Sequence, residues 1–273
     1  MGPVLKGYLQ LTRPANLPTA AADILAGLAI AGVISALEQL PNTSDLYLNC
    51  LLLVCASVFL YAGGVVLNDY FDREIDKLER PERPIPSGLI EAGSAALFGF
   101  SLLLLGVIFA FITSTLSGVI ALILALSIVL YDAISNKNVF FGPLNMGICR
   151  GLNLILGISV LGSIVPWKLA LIPLIYIFAI TLISRGEVHG NNRNHLIWAG
   201  ILYAIVVFGV LISVPNQLTD SWEVLPFLGL FAFTIYRPLF RAYKNNSAEL
   251  IKKAVISGVL GLVILDASWA AGF

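Results

Sequence analysis

Charge is scarce in this chain of 273 residues. Only 12% of them are Asp, Glu, Lys or Arg, 58% are apolar, and the mean hydropathy is +0.91. A soluble domain is typically about 25% charged and roughly 45–50% apolar, so that class is excluded. Cysteine is scarce too. Cys50, Cys55 and Cys149 are odd in number, scattered and set among apolar residues, which excludes redox or zinc spacing and leaves them as small buried side chains. No polar linker long enough to separate domains interrupts the chain, so residues 1–273 read as one membrane domain. A signal-peptide pattern is also missing: Met1–Pro14 carries Lys6 and Arg13 without an apolar core and small-residue cleavage site. The net charge of zero excludes nothing by itself, and no nucleic-acid partner is expected.

What the chain has in quantity is uninterrupted apolar sequence. Leu51–Leu67, Leu97–Ile112 and Leu116–Tyr131 contain no charge. At ~1.5 Å rise per residue, about 20 such residues cross a ~30 Å hydrocarbon core as a helix. The runs do not alternate every second residue, so helices fit and a barrel does not. Breakers and runs together place spans near 14–34, 47–68, 88–112, 115–134, 143–163, 166–184, 195–214, 222–240 and 248–270. The expected fold is therefore all-α, a polytopic bundle of nine transmembrane helices in a lipid bilayer. Glycines at 25–33 and 147–164 are expected to let helices pack closely.

Basic residues orient the bundle. With the N-terminus cytoplasmic, fourteen of the sixteen Lys and Arg residues fall on one side or its helix ends. The opposite connections, near 35–46, 113–114, 164–167 and 215–221, carry none. Eight or ten helices would break that alternation. The expected setting is the inner, cytoplasmic membrane of a cell, with the C-terminus outside.

One segment departs from this poverty of charge. NDYFDREIDKLERPERPIPS, residues 68–87, holds ten of the chain's 32 charged residues (16 basic plus 16 acidic), six of them acids. Topology accounts for the bases but not for the acids. If the second span continues as helix beyond the membrane edge, Asn68, Asp72 and Asp76 recur every four residues. Each step is then ~6 Å along the axis and ~40° around it, a single spiralling stripe with Asp69 at its flank and Arg73 and Lys77 pointing elsewhere. Like charges at that spacing repel, so something positive must compensate them. Magnesium fits, because it takes oxygen ligands, keeps waters, and binds one or two carboxylates plus substrate phosphates. Asn68 would add an oxygen without adding charge. Arg80 and Arg83 suit phosphate, and three prolines stop the helix.

Asn68-x-x-x-Asp72-x-x-x-Asp76 followed by Arg80-Pro-x-Arg83-Pro-Ile-Pro-Ser-Gly88 resembles the first signature of the UbiA superfamily of intramembrane prenyltransferases. Leu11-Thr-Arg-Pro14 resembles the family's start. The resemblance implies a helical bundle whose cytoplasmic-side cavity holds an isoprenyl diphosphate. Magnesium would bridge the diphosphate to two Asp-rich motifs, the allylic C–O bond would ionise, and an acceptor would capture the cation. Tyr70, Phe71 or Tyr131 would shield that cation, or anchor the chain at the membrane interface.

The family's second motif lies on the connection between helices 6 and 7, where this chain reads Ser184-Arg-Gly-Glu-Val-His-Gly-Asn-Asn-Arg193, without aspartate. Glu187 and Asn191, four apart, echo Asn68 and Asp72 with acid and amide exchanged. His189 lies between them, and Arg185 and Arg193 flank them. The segment is either a working variant, with one magnesium on Glu187 and arginines in place of a second metal, or a degenerate site. SRGEVHGN, with Tyr131-Asp-Ala133 and the run from Gly142 to Asn153, further resembles the UbiA-like proteins of bacterial Ebo clusters, which would imply a lipid-linked or exported metabolite as acceptor.

The remaining polar residues keep two readings each. Tyr131 and Lys137 match a family Tyr and Lys for diphosphate, although Asn136 occupies the nearer slot, and Asp132 is expected to bridge locally. Arg150, within a span, lines the cavity as an acceptor contact or pairs with Asp23 or Asp266. Those two acids are bases for the acceptor or packing partners. Asn153 accompanies Arg150, and Asn16 faces diphosphate or acceptor. The catalytic set is therefore Asn68, Asp72, Asp76 and Glu187, with magnesium on the same four. Two other functions compete. One is a binding or transport protein of this fold that carries a lipid diphosphate without chemistry. The other is a CDP-alcohol phosphotransferase, whose Asp-x-x-Asp-Gly-x-x-Ala-Arg pattern is absent.

Overall fold

In lipid, a charge-free run can satisfy its backbone N–H and C=O groups only within a helix or a closed barrel, and here the runs form helices. The computed structural model describes residues 2–39, 43–186, 190, 193–214 and 221–273, with Ser221 described by its backbone alone. Among these, no strand occurs. The helices are α1 (Pro3–Leu11), α2 (Leu17–Ile30), α3 (Val33–Gln39), α4 (Ser44–Phe71), α5 (Arg73–Glu79), α6 (Ala92–Thr113), α7 (Thr115–Ala133), α8 (Phe141–Ile158), α9 (Leu171–Ser184), α10 (Arg193–Ser213), α11 (Ser221–Lys244) and α12 (Ala248–Gly272). Among the described residues, eight helices are long and apolar enough to cross a membrane. A ninth span results if Pro3–Ile30 and Val33–Gln39, bent by 56°, count as one. Lipid-facing side chains such as Leu97 and Leu104 on α6 and Phe208 and Ile212 on α10 lie exposed on the outside, as befits a multi-pass membrane protein.

The first span differs most from its expected range of 14–34. Gly32, at φ 80° with open space around it, breaks the helix after Ile30. Ahead of it, α1 is a helix that the apolar runs did not announce. Its Gly7 lies against Leu89 and Ile90, where a Cβ would come within 2.9 Å of Leu89 Cδ2.

The second span is longer than a bilayer requires. Its 28 residues extend ~42 Å, against a ~30 Å core, so Asn68 and Asp69 emerge at one membrane edge. The helix bends at Asp72 (φ −88°, ψ 2°) and resumes as α5. Asp72 N–H donates to Asn68 O and Asp76 N–H to Asp72 O, each at 2.9 Å, so the four-residue ladder survives the bend. Arg73 stacks 4.7 Å over Tyr70 and Lys77 meets Glu74 at 2.9 Å, both turned away from the acids as expected. α5 stops at Arg80, ahead of Pro81, where the α conformation is disfavoured. The following loop is not loose: Ile90 N–H donates to Pro84 O at 3.0 Å. Ile85 and Ile90 are buried in an apolar cluster with Leu11, Val66 and Ala95.

Two larger cores complete the bundle. One draws on α8 to α12 around Tyr176, Tyr203, Phe231 and Trp269; the other joins α2, α4, α6 and α7 around Leu53, Leu60, Leu103 and Leu124. The seam between them runs along α2 and α8. There a Cβ on Gly27 would lie 2.8 Å from Gly157 Cα, and one on Gly157 would lie 2.7 Å from Ile24 O. Only glycine permits that approach.

Candidate active site

The acids of the charged segment do not all stand in the same company. Asp69 Oδ1 accepts from Arg13 Nη2 at 2.5 Å and from Arg83 Nη1 at 3.0 Å. Arg83 Nη1 also donates to Asp76 Oδ2 at 2.5 Å, and Arg80 Nη1 lies 3.9 Å from Asp76 Oδ1. Asp69 and Asp76 are buried, so arginine supplies the compensation that their spacing demands. Arg13 reaches Asp69 from a left-handed backbone at φ 45°, a conformation that costs a non-glycine residue roughly 1–3 kcal/mol. Arg80 is largely exposed, while Arg83 is mostly covered.

Asp72 differs. Among the described residues it forms no ion pair, and its Oδ1 accepts only from Asn136 Nδ2 at 3.3 Å. Burial, and after it the neighbouring Asp76 carboxylate, hold its carboxyl above the usual carboxylate range. A second contact of the same kind lies one turn earlier: Asn68 Nδ2 donates to Asp132 Oδ1 at 3.2 Å. The ends of α4 and α7 therefore meet in two rungs, Asn68 to Asp132 and Asp72 to Asn136. Asn-x-x-x-Asp, running off the end of α4, faces Asp-x-x-x-Asn, which runs from α7 into the 3-10 turn after it (Ser135–Lys137). Asp132 Oδ2 and Asn136 Oδ1 are buried without a hydrogen-bond partner, a cost that a ligand or cation would relieve.

Behind these rungs opens a cavity of about 270 Å³, lined by Arg13, Asn68, Tyr131 and Asp132, with apolar walls from Leu60, Val65, Ile128, Ile177, Val259 and Leu262. Arg150, Asn153 and Ser57 also line it. Arg150 both faces the cavity and pairs with the two acids: its Nε lies 2.7 Å from Asp23 Oδ2, and its Nη2 lies 3.9 Å from Asp266 Oδ2. Arg150 Nη2 also donates to Thr19 O at 2.7 Å. Asn153 Nδ2 donates to Asp23 Oδ2 at 2.8 Å, and Ser57 Oγ donates to Asn153 Oδ1 at 2.8 Å.

Of the residues expected from sequence, Asn68, Tyr131, Arg150 and Asn153 share the cavity wall, and Asp72 and Asp76 sit beside its polar end. Lys137 is exposed on the turn after α7, and its charge acts on Asp72. Arg185 donates to Asn138 O at 2.8 Å, away from the acids. Asn16 is half-buried near Tyr61. Glu187, His189 and Asn191 lie outside the described residues. Sequence reasoning undervalued Asp132, Asn136 and Arg13. The available signal was the four-residue spacing of Asp132 and Asn136, the same as that of Asn68 and Asp72 in reverse order.

No group of three or more His, Cys, Asp or Glu residues able to hold a metal exists among the described residues. The oxygens near Asp72 nevertheless suit magnesium, which needs only one or two carboxylates beside amide oxygens, waters and phosphate. Asp72 and Asp132 supply the carboxylates, Asn68 and Asn136 the amides, and two of these oxygens have no other partner.

The model of the UbiA prenyltransferase family matches residues 24–258. A digeranylgeranylglyceryl phosphate synthase from Methanoregula boonei is 36% identical over 180 residues, 66% of this chain and 59% of that protein. One from Methanococcoides burtonii is 40% identical over 163 residues, 58% of this chain and 56% of that protein. The matched stretch thus spans less than two thirds of either relative. Among solved structures, a digeranylgeranylglyceryl phosphate synthase aligns with a TM-score of 0.73 at 24% identity, covering 98% of both chains. A UbiA homologue from Archaeoglobus fulgidus bound to DMAPP and Mg2+ aligns with a TM-score of 0.67 at 19% identity, covering 96% of this chain and 98% of that one. At those identities the likeness is one of fold.

Proposed function

Because the chain belongs to the UbiA prenyltransferase family, we propose that it is a membrane prenyltransferase, moving a prenyl or polyprenyl group from an isoprenyl diphosphate to an acceptor within the bilayer. The observation that carries this reading is the joining of an oxygen-rich, arginine-flanked polar end to a mostly apolar cavity. Such a site suits a substrate with an anionic head and a hydrocarbon tail.

Each part of the chain then has a task. Asn68 and Asp72 would hold magnesium through oxygen, and Asp76 would join them only after exchanging Arg83. When bound, the metal would neutralise the diphosphate and make it a better leaving group. Arg13, Arg80, Arg83 and Lys137 would donate to phosphate oxygens. The Tyr131 ring, on the cavity wall, would stabilise positive charge on the allylic carbon as its C–O bond breaks. The diphosphate would leave with that electron pair, the acceptor's nucleophilic atom would bond to the carbon, and the proton that the acceptor gives up would pass to the departing diphosphate or to water. Glu187 remains assigned to magnesium, and Arg185, His189 and Asn191 to the substrate. We assign residues 1–273 to one domain in the inner membrane, with the N-terminus cytoplasmic and the C-terminus outside.

The relatives' name supports a glyceryl phosphate lipid as the acceptor to try first. The resemblance to Ebo-cluster proteins supports a different metabolite instead. Lipid mass spectrometry of cells with and without the protein separates the two. Purified protein given geranylgeranyl diphosphate, magnesium and acceptor should release diphosphate; tight binding of the donor without release would make it a carrier.

A further inference from the structure

We propose that the end of α7 and the 3-10 turn after it (Ser135–Lys137) contribute directly to the divalent-cation site, with Asp132 and Asn136 as oxygen ligands opposite Asn68 and Asp72. The inference rests on the prenyltransferase reading above and deepens it, because it adds a carboxylate to a chain whose connection between α9 and α10 carries Glu187 but no aspartate.

Three observations carry it. First, Asp69 and Asp76 are committed to Arg13 and Arg83, which leaves Asp72 as the acid of the Asn68, Asp72 and Asp76 stripe that forms no ion pair among the described residues. Second, the two rungs are matched. A carboxylate has no proton to give, so each asparagine must present its NH2 to the acid opposite, as Asn68 does to Asp132 and Asn136 to Asp72. That arrangement leaves the amide oxygens available for a cation. Third, Asp132 is 3% exposed, lines the cavity beside Asn68, and keeps Oδ2 buried without a partner; Asn136 Oδ1 is likewise unpartnered. An isolated buried carboxylate oxygen is costly, and the nearest arginines are held by other acids. Two carboxylates and two amide oxygens form a hard-oxygen set of the kind that magnesium or manganese accepts, with waters or phosphate oxygens filling the remaining positions.

The test uses full-length protein in detergent and Mn2+ as the probe, read by electron paramagnetic resonance with and without inorganic pyrophosphate. Wild type should bind Mn2+. Asp132→Asn, nearly isosteric, should weaken it at least tenfold, as should Asp72→Asn, while Glu249→Gln on the outer face of α12 should leave it unchanged. Asn136→Asp adds a carboxylate and should tighten Mn2+ several-fold, a gain that a misfolded protein cannot mimic. If Asp132→Asn and Asn136→Asp both bind as wild type does while Asp72→Asn does not bind, α7 is no part of the site and the prenyltransferase reading stands. If wild type binds no Mn2+ even with pyrophosphate, both readings fall.

Discussion

Arg13 Nη2 lies 2.5 Å from Asp69 Oδ1, across 56 residues of sequence. The contact ties the entry of the first span to the edge where α4 emerges. Its origin is local, because the turn at Pro14 sets Arg13 in a left-handed backbone and aims its guanidinium at the acids. Arg13→Ala leaves Asp69 with Arg83 alone. A loss of about 1–3 kcal/mol is expected, the cost of one missing charged hydrogen bond at a buried acid. Thermal unfolding in detergent measures it, and Arg13→Lys should recover part of the loss.

Asp72→Ala should abolish diphosphate release, and Asp72→Asn should do the same while stabilising the metal-free protein. Burial and Asp76 raise the Asp72 pKa in the folded state. A raised carboxyl favours folding below its unfolded value, and that contribution is lost as pH rises through the folded value. At neutral pH the wild type therefore carries a destabilised charge that asparagine removes. Activity should fall on acidification at a pH above that of an ordinary aspartate. Equal unfolding temperatures for wild type and Asp72→Asn at pH 7 would count against this.

Arg150→Met should cost about 3–5 kcal/mol, because it leaves Asp23 and Asp266 buried without their cation. Adding Asp23→Asn and Asp266→Asn to it should restore most of the stability. A single variant as stable as wild type would mean that the acids carry no charge.

Gly27→Ala should destabilise by about 1–3 kcal/mol, the usual cost of overpacking, since its Cβ would meet Leu154 O at 2.7 Å. Gly229→Ala on α11, where a Cβ meets nothing within 4 Å, serves as the neutral comparison.

Glu187→Ala should abolish or severely weaken transfer if the connection ahead of α10 completes the site. Retained transfer, with loss in Asp132→Asn, would assign the second acid function to α7 alone.

The spans and the charged segment were legible because hydropathy and four-residue spacing are local properties of a chain. Leu97–Ile112 could hardly be anything but a helix in lipid, and α6 covers it. Partner choice was not legible. Arg83 looks like a phosphate ligand in sequence, yet the chain's exit from α5 at Arg80 brings it back onto Asp69 and Asp76. Asp132 looked like a local ion-pair former because its meaning depends on how α7 is rotated against α4, and 64 residues separate it from Asn68. The break at Gly32 and helix α1 escaped for a related reason. Both depend on what a small, partly polar segment packs against rather than on its own hydropathy.

The glycine seam has a consequence for motion within the membrane. Asp23 and Gly27 are one turn apart on α2, and Arg150 and Gly157 stand about two turns apart on α8, so charge and closest approach share one line. Sliding α2 by a single turn, ~5.4 Å, would strand Arg150 against hydrocarbon and bring larger side chains where only glycine fits. The pair acts as a registration pin. The two cores that meet along α2 and α8 are thereby held in axial alignment, so these helices can tilt about the pin far more readily than they can slide past it.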